Sequence, residues 1–291
     1  MSMDLLHEKI RKTKNPSVID FGVKAESIPP HLLAQEGSAV AAYGRFCREL
    51  MEALKGFVPA VRFSFGACAL MGPDGLTLLQ QLLREAGEKG FFVLLDSPEI
   101  LSPWGADRAA EAIFGGEDYP CNALVIPSFI GSDALKPFLP YCKEGKKALF
   151  VVVRSPNKSA SELQDMLSGT RLVHVAAAEM TNRFGENMLA RCGYSHIGAV
   201  ASAGAPDSLR NLRIKHNRLF LLVDGLDYPS GNAKNCSYGF DRFGFGAAVC
   251  AGPSITAAWK EAESDGADYI QHALQAAERL KKNISRYVTV L

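Results

Sequence analysis

Residues 91–100 read FFVLLDSPEI. Five apolar side chains in a row, with Gly90 before them and Asp96-Ser97-Pro98 behind, describe a short strand buried on both faces. Such strands belong to parallel sheets covered by helices. The carboxylate of Asp96 closes the run and stands at the C-terminal end of the strand, where a turn begins.

The same unit recurs along the chain. Apolar runs predict strands at 17–23, 58–65, 91–96, 123–126, 147–154, 196–201, 218–223 and 245–250. Segments of helical period separate them. One spans 38–56, with Phe46, Leu50 and Leu54 at every fourth position. A second opens at Pro73-Asp74-Gly75 and ends on Gly90. Others are expected at 106–114, 173–191, 206–214 and 257–282. Ser132-Asp133 caps a helix that Pro137 and Pro140 shorten or kink, and Ser159-x-x-Glu162 has the spacing of a capping box. The first fourteen residues, MSMDLLHEKIRKTK, form an amphipathic helix with Leu5, Leu6 and Ile10 on one side.

Eight strands alternating with helices in 291 residues predict an α/β fold, a (β/α)8 TIM barrel. One domain is expected over residues 1–291, with 1–14 as an N-terminal helical extension. A doubly wound open sheet is the rival. No G-x-G-x-x-G follows the first strand, and GFGAA at 244–248 leads into a strand instead.

A net charge of +1 gives no field that would steer the chain to nucleic acid or to a membrane. No apolar run approaches the ~18 residues of a membrane span. The basic N-terminus lacks the apolar core of a signal peptide. Seven scattered cysteines without a C-x-x-C motif fit reduced thiols in the cytoplasm. Six histidines without an H-x-x-x-H spacing suggest packing or surface roles. Neither a metal nor a cofactor is expected.

Four stretches carry a family resemblance: KIRKTKNPSVIDFGVKAESIPP, GFVPAVRFSFGACALMGPDGL, GSDALKPFLPYCKEGKKALFVVVRSPNKSASELQD and RCGYSHIGAV. With the order and spacing of all eight strands, they make the chain resemble the orotidine 5′-phosphate decarboxylases, in their longer bacterial subclass, over residues 6–282. The resemblance implies a homodimer with its sites at the interface, a nucleotide substrate at the strand ends and a place in pyrimidine biosynthesis. Such an enzyme strips CO2 from the pyrimidine C6 and protonates the carbanion left behind. Alternating Asp and Lys side chains crowd the carboxylate, stabilise the carbanion and deliver the proton.

At the positions that the resemblance assigns to this chemistry, other residues stand. The first-strand aspartate falls on Gly22, in Asp20-Phe21-Gly22-Val23, and the second-strand lysine on Arg62. The third-strand Asp-x-Lys-x-x-Asp is Asp96-Ser97-Pro98-Glu99-Ile100-Leu101. Asp96 matches. Pro98 takes the place of the lysine, and Leu101 that of the aspartate reaching the partner subunit's site. The pyrimidine-holding Thr-Ser-Asn is Ser155-Pro156-Asn157. In the phosphate loop after strand seven, Gly225 and Gly231 match while Pro229 stands for the Gln. The phosphate-gripping Ser-Arg-Gly reads Gly252-Pro253-Ser254.

Proline carries no ionisable group, and loss of one general acid costs ~10²–10⁴ in rate. Arg62 keeps the charge but holds its proton too tightly to donate it. Lys24, just past strand one, and Asp20, on the same strand face as Gly22, are the residues placed to compensate. Pro253 removes a charge-assisted contact worth about 1.5–3 kcal/mol. Asp224 and Asp227 would repel a phosphate unless Arg154, Lys234 or Arg242 folds inward.

Asp96 and Arg62 are thus remnants of a catalytic set, with Asp20, Arg154, Ser155, Gly225, Gly231 and Ser254 as candidate ligand contacts. Plainer roles stand beside these. Asp96 could cap its own turn, Arg62 pair with Asp96 or Asp20, Arg154 and Ser155 sit in a solvated loop, and the glycines serve turns. Trp104 and Tyr228 would cover the pocket or pack against a neighbouring subunit. The leading expectation is a diverged homodimer without ordinary decarboxylase activity, binding a small molecule or serving as a partner subunit. An active decarboxylase with rearranged groups is the alternative. Another lyase or isomerase on the same barrel is weakened by the same missing lysine.

Overall fold

Residues 2–22, 24–97 and 100–291 are described by the computed structural model of the chain. Among them, eight parallel strands close into a barrel: β1 (Ser17–Asp20), β2 (Ala60–Ser64), β3 (Phe92–Asp96), β4 (Ala123–Pro127), β5 (Ala148–Val152), β6 (Ile197–Ser202), β7 (Leu221–Asp224) and β8 (Ala247–Ala251). Each strand pairs with the next in the chain, and β8 closes on β1. The expected (β/α)8 architecture is the observed one.

Strand alternation builds two apolar layers. In β3, Phe92 and Leu94 enter the barrel core with Val125, Phe150, Phe220 and Leu222. Val93 and Leu95 face the helices. Continuing the inward face one step brings a polar residue to the rim of several strands. After Val18 comes Asp20, after Ala60 comes Arg62, after Leu94 comes Asp96, and after Leu222 comes Asp224. The lower end is closed by α1 (Ser2–Thr13), whose Met3, Leu6 and Ile10 join the inner core. Leu5, expected on that face, points outward; the stripe runs through positions 3, 6 and 10.

The longer outer helices are α2 (Ala39–Leu54), α3 (Gly72–Glu88), α4 (Val173–Gly185), α5 (Pro206–Lys215) and α6 (Tyr269–Ser285). Ser38 caps α2 by accepting the Ala41 N–H at 3.1 Å, and Gly90 takes a left-handed φ of 85° just after α3. The prolines act as expected in 131–143, where two 3-10 turns and a five-residue helix replace one helix.

Three expectations are corrected. Ser159 makes no cap hydrogen bond; the helix behind it spans only Ala160–Gln164, and Gln164 turns back to hold Ser155. The helix expected to reach residue 191 ends at Gly185, whose carbonyl accepts from Ser195 as the chain folds back. The final helix is broken, because Glu263 and Gly266 adopt left-handed φ values of 55° and 89° ahead of α6. The sequence reading passed over helices Pro30–Glu36, Phe65–Ala69 and Ala233–Ser237 and a small hairpin pairing Leu167–Ser168 with Arg171–Leu172.

Candidate functional site

The rim residues converge on Arg62. Register sets Asp20 directly beside it, and β7 brings Asp224 from the other side. Arg62 Nη2 donates to Asp20 Oδ2 at 2.5 Å, and Nη1 to Asp224 Oδ2 at 3.1 Å. The arginine side chain is 6% exposed, while its carboxylate partners are about one-fifth exposed. Burial by itself would lower the guanidinium pKa. The Asp20 and Asp224 carboxylates, with lesser contributions from Cys250 and Asp96, raise it well above its ordinary value. Arg62 is therefore a fixed cation. Of the two pairings the sequence left open, the one with Asp20 is realised. The Cys250 thiol is pushed well above its usual range by burial; strand alternation points it into this cluster.

Gly22 N–H donates to Asp20 Oδ1 at 2.9 Å. A Cβ placed on Gly22 would lie 3.1 Å from that same oxygen. The Asp20 carboxylate thus occupies the space beside position 22. Asp96 lies on the inner face in register with Ser64. Pro98 falls outside the described residues.

Above this cluster opens a cavity of about 580 Å³, bounded by Asp20, Arg62, Pro156, Asp224, Gly225 and Tyr228 and rimmed by Lys24 and Lys260. Its wall after β7 is a tight loop. Gly225 has φ +84°, and a Cβ on Gly231 would sit 2.0 Å from the Gly225 carbonyl. Both glycines are required by the loop's own path. Asp227 Oδ2 accepts the Gly252 N–H at 2.6 Å, so a side chain of the protein already engages that donor.

No protein-family model matches the chain. It is 27% identical over 268 residues to an orotidine 5′-phosphate decarboxylase of Rhodopirellula baltica, covering 89% of each chain. Its fold is that of a Toxoplasma gondii structure described as a putative orotidine-monophosphate decarboxylase, with a TM-score of 0.79, 18% identity and coverage of 97% and 98%. It also matches UMP synthase from Leishmania donovani, with a TM-score of 0.78 and 24% identity, over 98% of this chain and 56% of that longer one. These matches, at 27% identity or less over nearly the whole chain, support the resemblance to the orotidine 5′-phosphate decarboxylases.

Other residues that the decarboxylase resemblance brought forward lie elsewhere. Arg154 is turned away from the mouth. It donates to Asp165 at 2.9 Å and to Gln164 at 3.2 Å, and it lines a cavity between α4 and α5. Ser155 is held by Asn157 and Gln164. Ser254 Oγ is buried without a hydrogen bond and borders a neighbouring hollow rather than the mouth. Neither Lys234 nor Arg242 lines the mouth, and Arg242 stacks on Phe243. Lys24 reaches the rim but is largely exposed to solvent, 3.9 Å from Glu26. The residues that the sequence reading missed are Asp224 as a partner of Arg62, Cys250, and Lys260. The first two are marked by period-two alternation in their strands.

Among the described residues no group of three or more His, Cys, Asp or Glu side chains is placed to hold a metal, and no helix is long and apolar enough to cross a membrane.

Proposed function

We propose that the chain is a diverged orotidine 5′-phosphate decarboxylase-like protein that has lost ordinary decarboxylase turnover and keeps its barrel mouth as a small-ligand pocket. The observation that carries this reading is the Asp20–Arg62–Asp224 cluster. The cation at the second-strand lysine position is buried and clamped by two carboxylates, and it gives up no proton near neutrality. Asp227 on the Gly252 N–H adds support. A negative group is built in at the end of the pocket where the family resemblance puts the substrate phosphate. The mouth then favours a neutral or cationic ligand over a nucleotide monophosphate.

The deciding experiment is turnover of orotidylate to uridylate by the purified protein, paired with thermal shifts using both nucleotides. The expected result is neither turnover nor a shift. Conversion at rates ordinary for family members, abolished by Asp96→Ala, overturns the proposal. It would establish the second reading, an active enzyme with rearranged groups. One observation favours that alternative: the Asp20 carboxylate fills the space beside Gly22 and so restores a carboxylate next to the Arg62 cation.

A homodimer is part of the proposal. Leu70, Leu101, Trp104 and Phe129 are 91%, 67%, 71% and 77% exposed beyond the ends of β2, β3 and β4. Apolar groups of this size, exposed after three neighbouring strands, are suited to a second copy. Light scattering is expected to give twice the chain mass, and Trp104→Glu to shift it toward monomer. A monomeric parent protein refutes this part.

A further inference from the structure

Helices α4 and α5 both pack on β6 but stand apart from each other. Adjacent packed helices ordinarily lie 8–10 Å apart, with side chains filling the seam. Here the seam holds a cavity of about 490 Å³, within the size range of small-molecule sites. Small residues make the room: Ala178 on α4, Ala201 and Ser202 on β6, and Ser208 on α5. Leu209 and Leu212 supply much of the apolar wall. A bridge from Lys215 to Glu179 at 3.3 Å ties the two helices across the gap.

One end of this cavity is polar and buried. Arg154 and His174 both line it and are more than nine-tenths buried. The Arg154 Nη atoms are taken by Gln164, Asp165 and the Ser155 carbonyl, but its Nε has no partner. His174 commits Nδ1 to the Gln164 carbonyl at 2.9 Å and to Asp165 at 3.2 Å. Its Nε2 makes no hydrogen bond among the described residues. An orphaned donor on a buried guanidinium is costly unless something accepts from it. Arg154 is already bridged to Asp165 and Lys215 to Glu179, so the donor left over at this end is the Arg154 Nε. A strong hydrogen-bond acceptor such as a carboxylate oxygen suits that donor, and hydrocarbon suits the rest.

We propose that the α4–α5 seam is a second binding site, separate from the barrel mouth, for a small carboxylic acid with an apolar body. The carboxylate lies at Arg154 and His174, and the hydrocarbon lies between Ala178 and Leu212. The site requires nothing of the decarboxylase chemistry.

Isothermal titration of the full chain tests this, using hydrocinnamate, indoleacetate and octanoate as probes and hydrocinnamyl alcohol as the neutral control. Saturable binding of at least one acid is expected, with the alcohol weaker than hydrocinnamate by about tenfold or more. Ser208→Trp fills the seam from α5 and Val175→Trp from α4. Each is expected to abolish binding while the folded spectrum is kept, so failure of one variant to fold leaves the other. The proposal falls if no acid binds, if alcohol and acid bind equally, or if binding survives both variants. It also falls if Ser208→Trp instead changes the oligomeric state, which would assign the seam to a second copy of the chain.

Discussion

Arg62 at the mouth of the barrel and Arg213 near its opposite end are both buried, yet their surroundings are opposite in kind. Arg62 is held by two carboxylates. Arg213, on α5, donates to four backbone carbonyls, those of Gly239, Asn217, Leu219 and Gly246, at 2.5–3.0 Å. Leu219 and Gly246 lie just before β7 and β8, so this arginine ties together turns at the strand starts. Burial pulls the Arg213 pKa down to about 10, with only distant help from Tyr194 and Asp241. At Arg62 nearby carboxylates overcome the same burial and push the pKa up. One end of the barrel balances charge with charge, where a ligand can reach it. The other uses charge to satisfy backbone, where nothing needs to enter.

The comparison breaks most decisively at Arg213. Arg213→Met strands carbonyls in a buried setting and is expected to cost about 3–5 kcal/mol in denaturant unfolding, with the mouth cluster unaffected. A loss below about 1 kcal/mol would show that those turns do not depend on it. Arg62→Met is expected to cost somewhat less, about 3 kcal/mol, because solvent partly screens Asp20 and Asp224. In an Asp20→Asn, Asp224→Asn background the same change should cost under about 1 kcal/mol. An unchanged cost in that background would mean that packing, not charge, holds Arg62.

The lower end carries a pH signature. His196 is buried with neither ring nitrogen hydrogen-bonded. Burial lowers its pKa below the ordinary 6.5, with a small opposing effect of Asp4. The unfolded chain therefore binds more protons than the folded one, and stability falls as pH drops through and below 6.5. The slope from this group is at most about 1.4 kcal/mol per pH unit. His196→Phe should flatten the melting-temperature profile between pH 6.5 and 5.5; an unchanged slope assigns the loss to other groups. The smallest expected effect is in the loop after β7. Gly225→Ala meets both a φ of +84° and Pro156 Cβ at 2.7 Å, for about 1–2 kcal/mol in thermal unfolding.

Much of the barrel is legible because its strands are apolar on both faces. FFVLLD and KALFVVVR each place their strand correctly to within two residues. Helix ends are less so, since tertiary contacts decide them. Gly185 stops α4 because Ser195 packs against it, ten residues further on. At the site, period two brings Asp20 onto the same strand face as Gly22, and the structure seats its carboxylate there. The Arg62–Asp224 contact joins residues 162 apart and has no local signal. Arg154 faces away from the mouth for a related reason: two residues beyond the strand, the loop and not the pleat sets the direction of a side chain.

The arrangement at position 22 has a consequence for what can stand there. The Asp20 carboxylate, two residues earlier in the chain, folds over the glycine and takes the space that a side chain at 22 would need. Any bulkier residue at 22 would crowd that oxygen and loosen one of the two jaws that grip the central guanidinium.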